Sequence, residues 1–241
     1  GMSAPATSGD RAGESPLRRL AADYLANPVA VFGAALLACI VLLAVFAPLV
    51  SPQNPYDLAQ LDITDARLPP GSPSPAGGTF WLGTDDQGRD MLSGIFYGLR
   101  ISLGVGIAST VFALAIGLVF GMVAAYFGGW VDTLIMRIVD IQLSFPAILI
   151  ALILLAVLGQ GVDKIVIALV TVQWAYYART VRSSALVERQ KEYVEAARVL
   201  ALGQARIVFR HLLPNCLPPL IVVATVQVAH AIALEATLSF L

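Results

Sequence analysis

The sequence predicts an all-α, polytopic transmembrane helical bundle, and its composition and the distribution of its charges both support this fold class. Hydrophobic residues make up 58% of the 241 residues and charged residues only 13%. Soluble domains average roughly 45–50% and 25%. The charges are clustered, so the remaining apolar runs are long enough to cross a bilayer, which takes about 20 residues.

The N-terminal part of the chain alternates polar and apolar stretches. Residues 1–28 are predicted to form a cytoplasmic tail and an interfacial helix, followed by a first span at about 29–50. Residues 51–100 are rich in proline and glycine up to Gly83, which is typical of an irregular external loop. They end in a short amphipathic helix over Met91–Leu99.

The rest of the chain supplies four further predicted spans, at about 101–127, 145–158, 162–178 and 217–233. The second contains Gly117 and Gly121, a small-xxx-small spacing that lets a neighbouring helix approach closely. Between the fourth and fifth spans lie residues 179–215, which we call the polar segment. It favours helix and carries most of the charge in this half of the chain.

Lysine and arginine set the predicted orientation, because these residues stay on the cytoplasmic side. They are concentrated in the polar segment and in the leader: Arg179, Arg182, Arg189, Lys191, Arg198, Arg206, Arg210, Arg11, Arg18 and Arg19. The loop 51–90 holds only Arg67 and Arg89 against six aspartates. The N-terminus and the polar segment are therefore predicted to be cytoplasmic, and the loop external.

The polar segment carries the most informative motif. Composition alone is also explained by a basic amphipathic loop on the membrane surface. The ordered residues Glu195-Ala196-Ala197, Gly203, Ile207 and Leu213-Pro214, however, resemble the cytoplasmic "EAA" loop of ABC-importer permeases. The family usually has its glycine six positions after the glutamate, where this chain has Ala201.

That resemblance implies which residues contact an ATP-hydrolysing subunit. The expected coupling residues are Glu192, Glu195, Ala196, Ala197, Leu200, Ala201 and Gly203. The small Ala196 and Ala197 are expected to face a groove on that subunit. Ile207, Leu213 and Pro214 are expected to shape the loop.

A second set of motifs spreads over residues 80–241. It comprises Leu82-Gly83-Thr84-Asp85, Gly88-Arg89-Asp90, Tyr97-Gly98, Arg100-Ile101-Ser102-Leu103, Tyr126-Phe127-Gly128-Gly129, Asp140…Phe145-Pro146 and Leu234–Leu241. This set resembles the dipeptide/oligopeptide ABC-importer permeases, specifically the second, "C"-type, membrane subunit. The resemblance implies a fold of the type I ABC importer permease kind. Such permeases usually have six spans, so a sixth is expected that is absent from this chain.

The resemblance also implies the function and the partners. The expected function is ATP-driven import of di- or oligopeptides across the cytoplasmic membrane, with nickel complexes or haem as alternative substrates of the same architecture. A secondary transporter or channel ranks lower, because the spans hold almost no charge. The expected partners are a second permease, two ATP-binding subunits, an external substrate-binding protein and the lipid bilayer, with no nucleic acid.

No enzymatic activity is expected of the chain itself. The sequence contains no phosphate-binding G-x-x-x-x-G-K-[ST] motif, so ATP and Mg are expected to be bound by a partner subunit and no cofactor by this chain. His211 and His230 have no companion at metal-ligand spacing, and no metal site is predicted.

Several acidic residues near predicted span ends need separate interpretations. An external motif is formed by Asp85, Gly88, Arg89 and Asp90. Its aspartates are expected to cap helix ends, because Asp is a preferred N-cap residue. Asp140 is predicted to pair with Arg137. Ionisable residues within membranes are functional candidates, and for Glu235 a gate and a structural hydrogen bond both stay open.

The predicted topology can be tested with reporter fusions. A reporter fused after Gln204 is expected to be cytoplasmic and one fused after Asp65 external, because the two sites lie on opposite sides of the charge distribution. A fusion after Asn27 should match the Gln204 fusion. Equal reporter activity at Gln204 and Asp65 would contradict the predicted count of spans between them.

Overall fold

The computed structural model describes residues 22–75, 77–200 and 203–240, and most of these are helical. The fold is all-α, as predicted. In chain order the helices are α1 (Pro28–Val45), α2 (Ala47–Val50), α3 (Met91–Phe127), α4 (Gly129–Ser144), α5 (Ala147–Leu158), α6 (Val162–Arg189), α7 (Glu192–Val199), α8 (Gln204–Ile207), a π-helix (Val208–Leu212) and α9 (Leu213–Phe240). Most of the predicted tail and interfacial helix lies outside the described residues. The chain divides after Arg100 into two compact units.

In the first unit, α1 begins with a well-formed cap. The side chain of Asn27 accepts hydrogen bonds from the backbone of Val29 and Ala30, and Pro28 occupies the first helical position, where its missing N–H costs nothing. The loop that follows is less irregular than the sequence predicts. It contains two short 3-10 turns and an antiparallel hairpin of β1 (Ser72–Ser74) and β2 (Gly78–Phe80).

Within the described residues, three helical stretches are long and apolar enough to cross a membrane: Pro28–Val45, Met91–Phe127 and Val208–Phe240. Helices α4 and α5 meet the same criteria together, but they are bent by 92° at the break between them. The described part of the chain is therefore that of a multi-pass membrane protein, with up to four such spans. Helix α6, whose sequence includes Gln173 and Arg179, does not meet these criteria. The five-span layout therefore stays a prediction.

The second unit is organised by a close approach of α3 and α6. A Cβ atom at Gly117 would lie 2.4 Å from Tyr177 Cβ, and one at Gly121 would lie 2.5 Å from the carbonyl oxygen of Ala178. Only glycine fits at this spacing, which confirms the small-xxx-small prediction. Tyr177 and Val181 are consequently fully buried.

Helices α4, α5 and α9 also pack against α6. Arg182 of α6 forms a two-bond ion pair with Asp132 of α4. In the contact with α9, the backbone oxygen of Gln227 accepts a hydrogen bond of 3.0 Å from Gln173. A cavity of about 380 Å³ lies between the C-terminal half of α3 and the π-helix. Its apolar lining includes Leu118, Met122, Tyr126, Val208, Phe209 and Leu213.

The close approach predicts a sharp difference between two glycines of the same helix. Gly117→Ala is expected to destabilise the unit by about 1–3 kcal/mol, because a methyl group there overlaps α6. Gly104→Ala is the matched control, since a Cβ atom at Gly104 meets nothing within 4 Å. Thermal unfolding in detergent measures both. Equal midpoints for the two variants would contradict the packing of α3 on α6.

Candidate functional site

The polar segment is a compact helical arrangement with its own small core. Val194 and Ala197 of α7 are buried against Ile207 and Leu212 from the other side of the turn. Tyr193 and Val208 pack on this cluster. The inner face of α7 is thus fixed by apolar burial, even though the surrounding sequence is polar.

Tyr193 connects α7 to both neighbouring long helices. Its hydroxyl donates a hydrogen bond of 2.6 Å to Glu188 Oε2 near the end of α6, and it accepts one of 3.2 Å from Asn215 Nδ2 at the start of α9. Burial, followed by the bond to Glu188, raises the pKa of Tyr193 to about 12. The hydroxyl therefore keeps its proton and remains a donor at physiological pH.

Glu188 is the charged centre of this connection. Lys191 Nζ lies 2.6 Å from Glu188 Oε1, an ion pair between residues three apart. Hydrogen bonds from Lys191 and Tyr193 lower the pKa of Glu188, because they stabilise the charged form. Sequence reasoning did not single out Tyr193, whose second partner lies 22 residues away.

The structure separates the predicted coupling residues into an exposed and a buried group. Glu192, Glu195, Ala196, Leu200 and Gly203 are exposed, whereas Ala197 is 4% exposed and belongs to the inner core. Ala197 differs from the expectation because it lies three residues after Val194, on the same helical face. Ala201 lies outside the described residues.

Four of these exposed residues form, together with the exposed Val199, what we call the outward face: Glu192, Glu195, Ala196, Val199 and Leu200. Val199 is 86% exposed and Leu200 is 72% exposed. Adjacent aliphatic side chains this exposed are typical of an interaction site when polar residues surround them. Val199 was not predicted, since it falls outside the motif.

The three residues expected to shape the loop lie at the junction with α9. Ile207 is buried in the small core, and Leu213 packs against the α3–α6 core. Pro214 follows the π-helix, in which the N–H of Leu213 bonds to the carbonyl of Val208. The helical backbone continues from α8 through the π-helix into α9.

The external motif is a folded turn that starts α3. Asp85 Oδ1 accepts backbone hydrogen bonds of 2.8 Å from Gln87 and 2.9 Å from Arg89. Asp90 Oδ2 accepts bonds of 2.9 Å from the N–H and 2.5 Å from the hydroxyl of Ser93. This is the capping role that the sequence favours.

Gly88 in the same motif is required by its surroundings. Its φ is +77°, and a Cβ atom there would lie 2.1 Å from the backbone oxygen of Asp62. Side chains other than hydrogen are therefore excluded by both backbone conformation and contact.

The two remaining acidic candidates have partners elsewhere in the chain. Glu235 is 6% exposed and accepts hydrogen bonds of 2.7 Å from Ser102 and 2.8 Å from Ser239. Asp140 pairs with Arg179 of α6 and not with Arg137 as predicted, because α4 turns Asp140 toward α6. Among the described residues, no group of three or more His, Cys, Asp or Glu could hold a metal ion.

Comparison with protein families places two models on the chain. Residues 117–241 match the family described as "Binding-protein-dependent transport system inner membrane component". Residues 15–70 match "N-terminal TM domain of oligopeptide transport permease C". The first covers most of the second unit, including the polar segment, and the second covers α1 and part of the loop.

Curated relatives align over nearly the whole chain. The dipeptide transport system permease protein DppC of Alkalihalophilus pseudofirmus is 37% identical over 94% of this chain and 72% of its own length. The di/tripeptide transport system permease protein DppC of Pseudomonas aeruginosa is 37% identical over 99% of this chain and 78% of its own.

Among solved structures, an amino acid ABC transporter "with histidines" aligns at 19% identity with a TM-score of 0.47. The alignment covers 62% of this chain and 77% of that one. This likeness is too weak to support a conclusion.

The connection through Tyr193 predicts a measurable loss of stability. Tyr193→Phe is expected to destabilise the polar segment by about 1–3 kcal/mol, because Glu188 loses a hydrogen-bond donor. Hydrogen exchange of α7 amides should accelerate while that of α3 stays unchanged. Tyr176→Phe on α6, where the tyrosine is exposed, is the control. Unchanged exchange in α7 would show that Tyr193 does not hold it.

Proposed function

The chain belongs to the family of binding-protein-dependent transport system inner membrane components, of the dipeptide/oligopeptide permease kind, and we propose that it is the C-type permease subunit of an ATP-driven peptide importer. The names of the relatives, which specify dipeptides and di/tripeptides, favour peptides over nickel complexes or haem. Family membership likewise favours an ABC importer over a secondary transporter or channel.

The observation that carries this proposal is the outward face of α7. Val199 and Leu200 are almost fully exposed, while Val194 and Ala197 on the other face are buried. A helix with a fixed inner face and an exposed aliphatic outer face is suited to contact a second protein, because burial of apolar surface contributes roughly 25 cal/mol per Å². The proposed occupant is a groove on an ATP-binding subunit.

The carboxylates beside these aliphatic side chains give the contact a polar edge. Glu192 and Glu195 are both exposed on α7. Charged rims contribute mainly to specificity and to association rate. In the proposed complex, the apolar residues supply the affinity and the carboxylates select the partner.

Movement of α7 would be transmitted to the spans by contacts already described. Tyr193 joins α7 to Glu188 of α6 and to Asn215 of α9. In addition, Arg189 Nη1 donates a 3.0 Å hydrogen bond to the backbone oxygen of Ala125 at the end of α3. A displacement of α7 by closing ATP-binding subunits would thereby reorient three long helices, which is the requirement of alternating access.

The remaining parts of the importer follow from this role. The proposed complex contains a second permease, two ATP-binding subunits that hold ATP and Mg, and an external substrate-binding protein. Hydrolysis is assigned to the partner subunits, since the sequence lacks the G-x-x-x-x-G-K-[ST] motif. The proposed location is the cytoplasmic membrane with the N-terminus inside, as the distribution of Lys and Arg indicates.

Glu235 is proposed to stabilise the opposite end of the bundle. Its carboxylate joins α9, on which Glu235 lies, to Ser102 of α3, and it also accepts a bond from Ser239 one turn further along α9. Because α3 and α9 must separate if the bundle opens there, the bond to Ser102 would act as a gate. Under this proposal the structural and gating roles of Glu235 are one interaction.

The proposal predicts that Leu200→Glu detaches the ATP-binding subunit. Burying an unpaired carboxylate in an apolar contact costs several kcal/mol, so copurification of the ATPase with the permease should be lost while membrane insertion is retained. Leu58→Glu is the matched control, because Leu58 is also a leucine and is 83% exposed, but in the external loop.

Copurification and peptide uptake, both normalised to permease in the membrane, distinguish the outcomes. Loss for Leu200→Glu and wild-type values for Leu58→Glu support the proposal. Wild-type copurification and uptake for Leu200→Glu would mean that the outward face is only a surface loop.

A further inference from the structure

A row of polar side chains crosses from α6 to α9 at a depth where a bilayer contains hydrocarbon. It consists of Gln173 on α6 and of Gln227 and His230 on α9. His230 lies 13 residues beyond Leu217, where the last predicted span begins. At 1.5 Å per residue this is about 20 Å along the helix. The apolar helical stretch continues for ten residues beyond His230, to Phe240, so His230 lies within a stretch long enough to span a hydrocarbon core of about 30 Å.

Hydrogen bonds run along this row from the interior of the bundle to its surface. Gln173 Nε2 donates to the backbone oxygen of Gln227 at 3.0 Å, and His230 Nδ1 lies 3.2 Å from Gln227 Oε1. Gln173 and Gln227 are buried, whereas His230 is exposed. In the tautomer in which Nδ1 donates to Gln227 Oε1, Nε2 is the acceptor of the ring and lies at the exposed end of the row.

The buried end of the row is incompletely satisfied. Gln173 Oε1 is buried and has no hydrogen-bond partner among the described residues. An unpaired buried carbonyl oxygen costs free energy unless water reaches it.

The two exposed flanks of α9 differ in chemistry. Ile221 lies nine residues before His230, about two and a half turns, and thus on the opposite side of the helix. It is 62% exposed and aliphatic, as lipid contact requires. The flank of His230 instead adds Val226, Ala233 and Thr237, which are exposed and small or uncharged.

We infer that His230 lines the substrate pathway and that its Nε2 accepts a hydrogen bond from an N–H group of the peptide in transit, either a main-chain amide or the terminal ammonium. This inference rests on the proposed peptide-import function. Exposed polar groups at hydrocarbon depth face a protein or a water-filled path. Glu235, the next ionisable residue of α9, is already bonded to Ser102 and Ser239 and does not pair with His230.

Such a contact fits a transporter that accepts many peptides. Main-chain N–H groups are common to all peptides, so a single hydrogen-bond acceptor can bind peptides whatever their side chains. The small neighbours Ala233 and Thr237 leave space for side chains of different size. His230 is accordingly a positioning residue for the backbone.

The first test measures uptake by the assembled complex in proteoliposomes, with its own binding protein loaded with di- to pentaalanine. His230→Phe keeps an aromatic ring but removes the acceptor, and it should lower uptake per complex roughly 3- to 10-fold, the range for one lost hydrogen bond. His230→Gln restores an acceptor near the position of Nε2 and should recover most of the rate. Ile221→Phe is the control and should transport as wild type.

The second test measures accessibility in a background with Cys39 and Cys216 replaced by alanine. His230→Cys should react with a membrane-impermeant thiol reagent and be protected by alanine peptides during turnover. Ile221→Cys should not react. A normal uptake rate for His230→Phe, or an unreactive cysteine at position 230, overturns the inference.

The proposed function fails in a different way. If wild-type complex imports no alanine peptide, peptide import itself is refuted, whatever the labelling at position 230. If wild type imports them and His230→Phe does so equally well, only the assignment of His230 is refuted.

Discussion

The close approach of α3 and α6 is the constraint on which the second unit depends. At Gly117 and Gly121 the backbones are so near that any Cβ atom would overlap the neighbouring helix. This contact buries Tyr177 and Val181 completely and sets the position of α6 along α3. Since α6 continues without a break to Arg189, and α7 begins three residues later, the contact between α3 and α6 also determines where the outward face is presented.

The polar segment combines two kinds of stabilisation that act on different faces of α7. Apolar burial of Val194 and Ala197 fixes the inner face. The hydrogen bonds of Tyr193 join α7 to the end of α6 and the start of α9. Neither contact uses the outward face. The outward face is therefore left unoccupied by these contacts, while α7 as a whole is held to α6 and α9.

Sequence reasoning succeeded where the determining interaction is local or compositional. The all-α membrane fold follows from composition and hydropathy, the capping by Asp85 from a turn of five residues, and the glycine contact from a four-residue spacing. It failed where the partner is distant in sequence. Arg179 lies 39 residues from Asp140, so the nearer Arg137 was preferred. Ala197 was assigned to the surface because the motif names residues without saying which helical face they occupy.

The π-helix at the start of α9 has a consequence for how this permease could change shape. Five residues, Val208–Leu212, bond with the wider i→i+5 spacing, which is equivalent to one residue inserted into the helix and is frequent at functional sites. If the extra residue moved along the helix by one turn, the turn between its old and new positions would rotate by ~100°, the angle of one residue, and would not unfold. The adjacent cavity of about 380 Å³ provides room for Phe209 and Leu213 during such a rotation. Successive turns of the long helix α9 would thus rotate about its axis in discrete steps, while the two ends of the helix stayed in place.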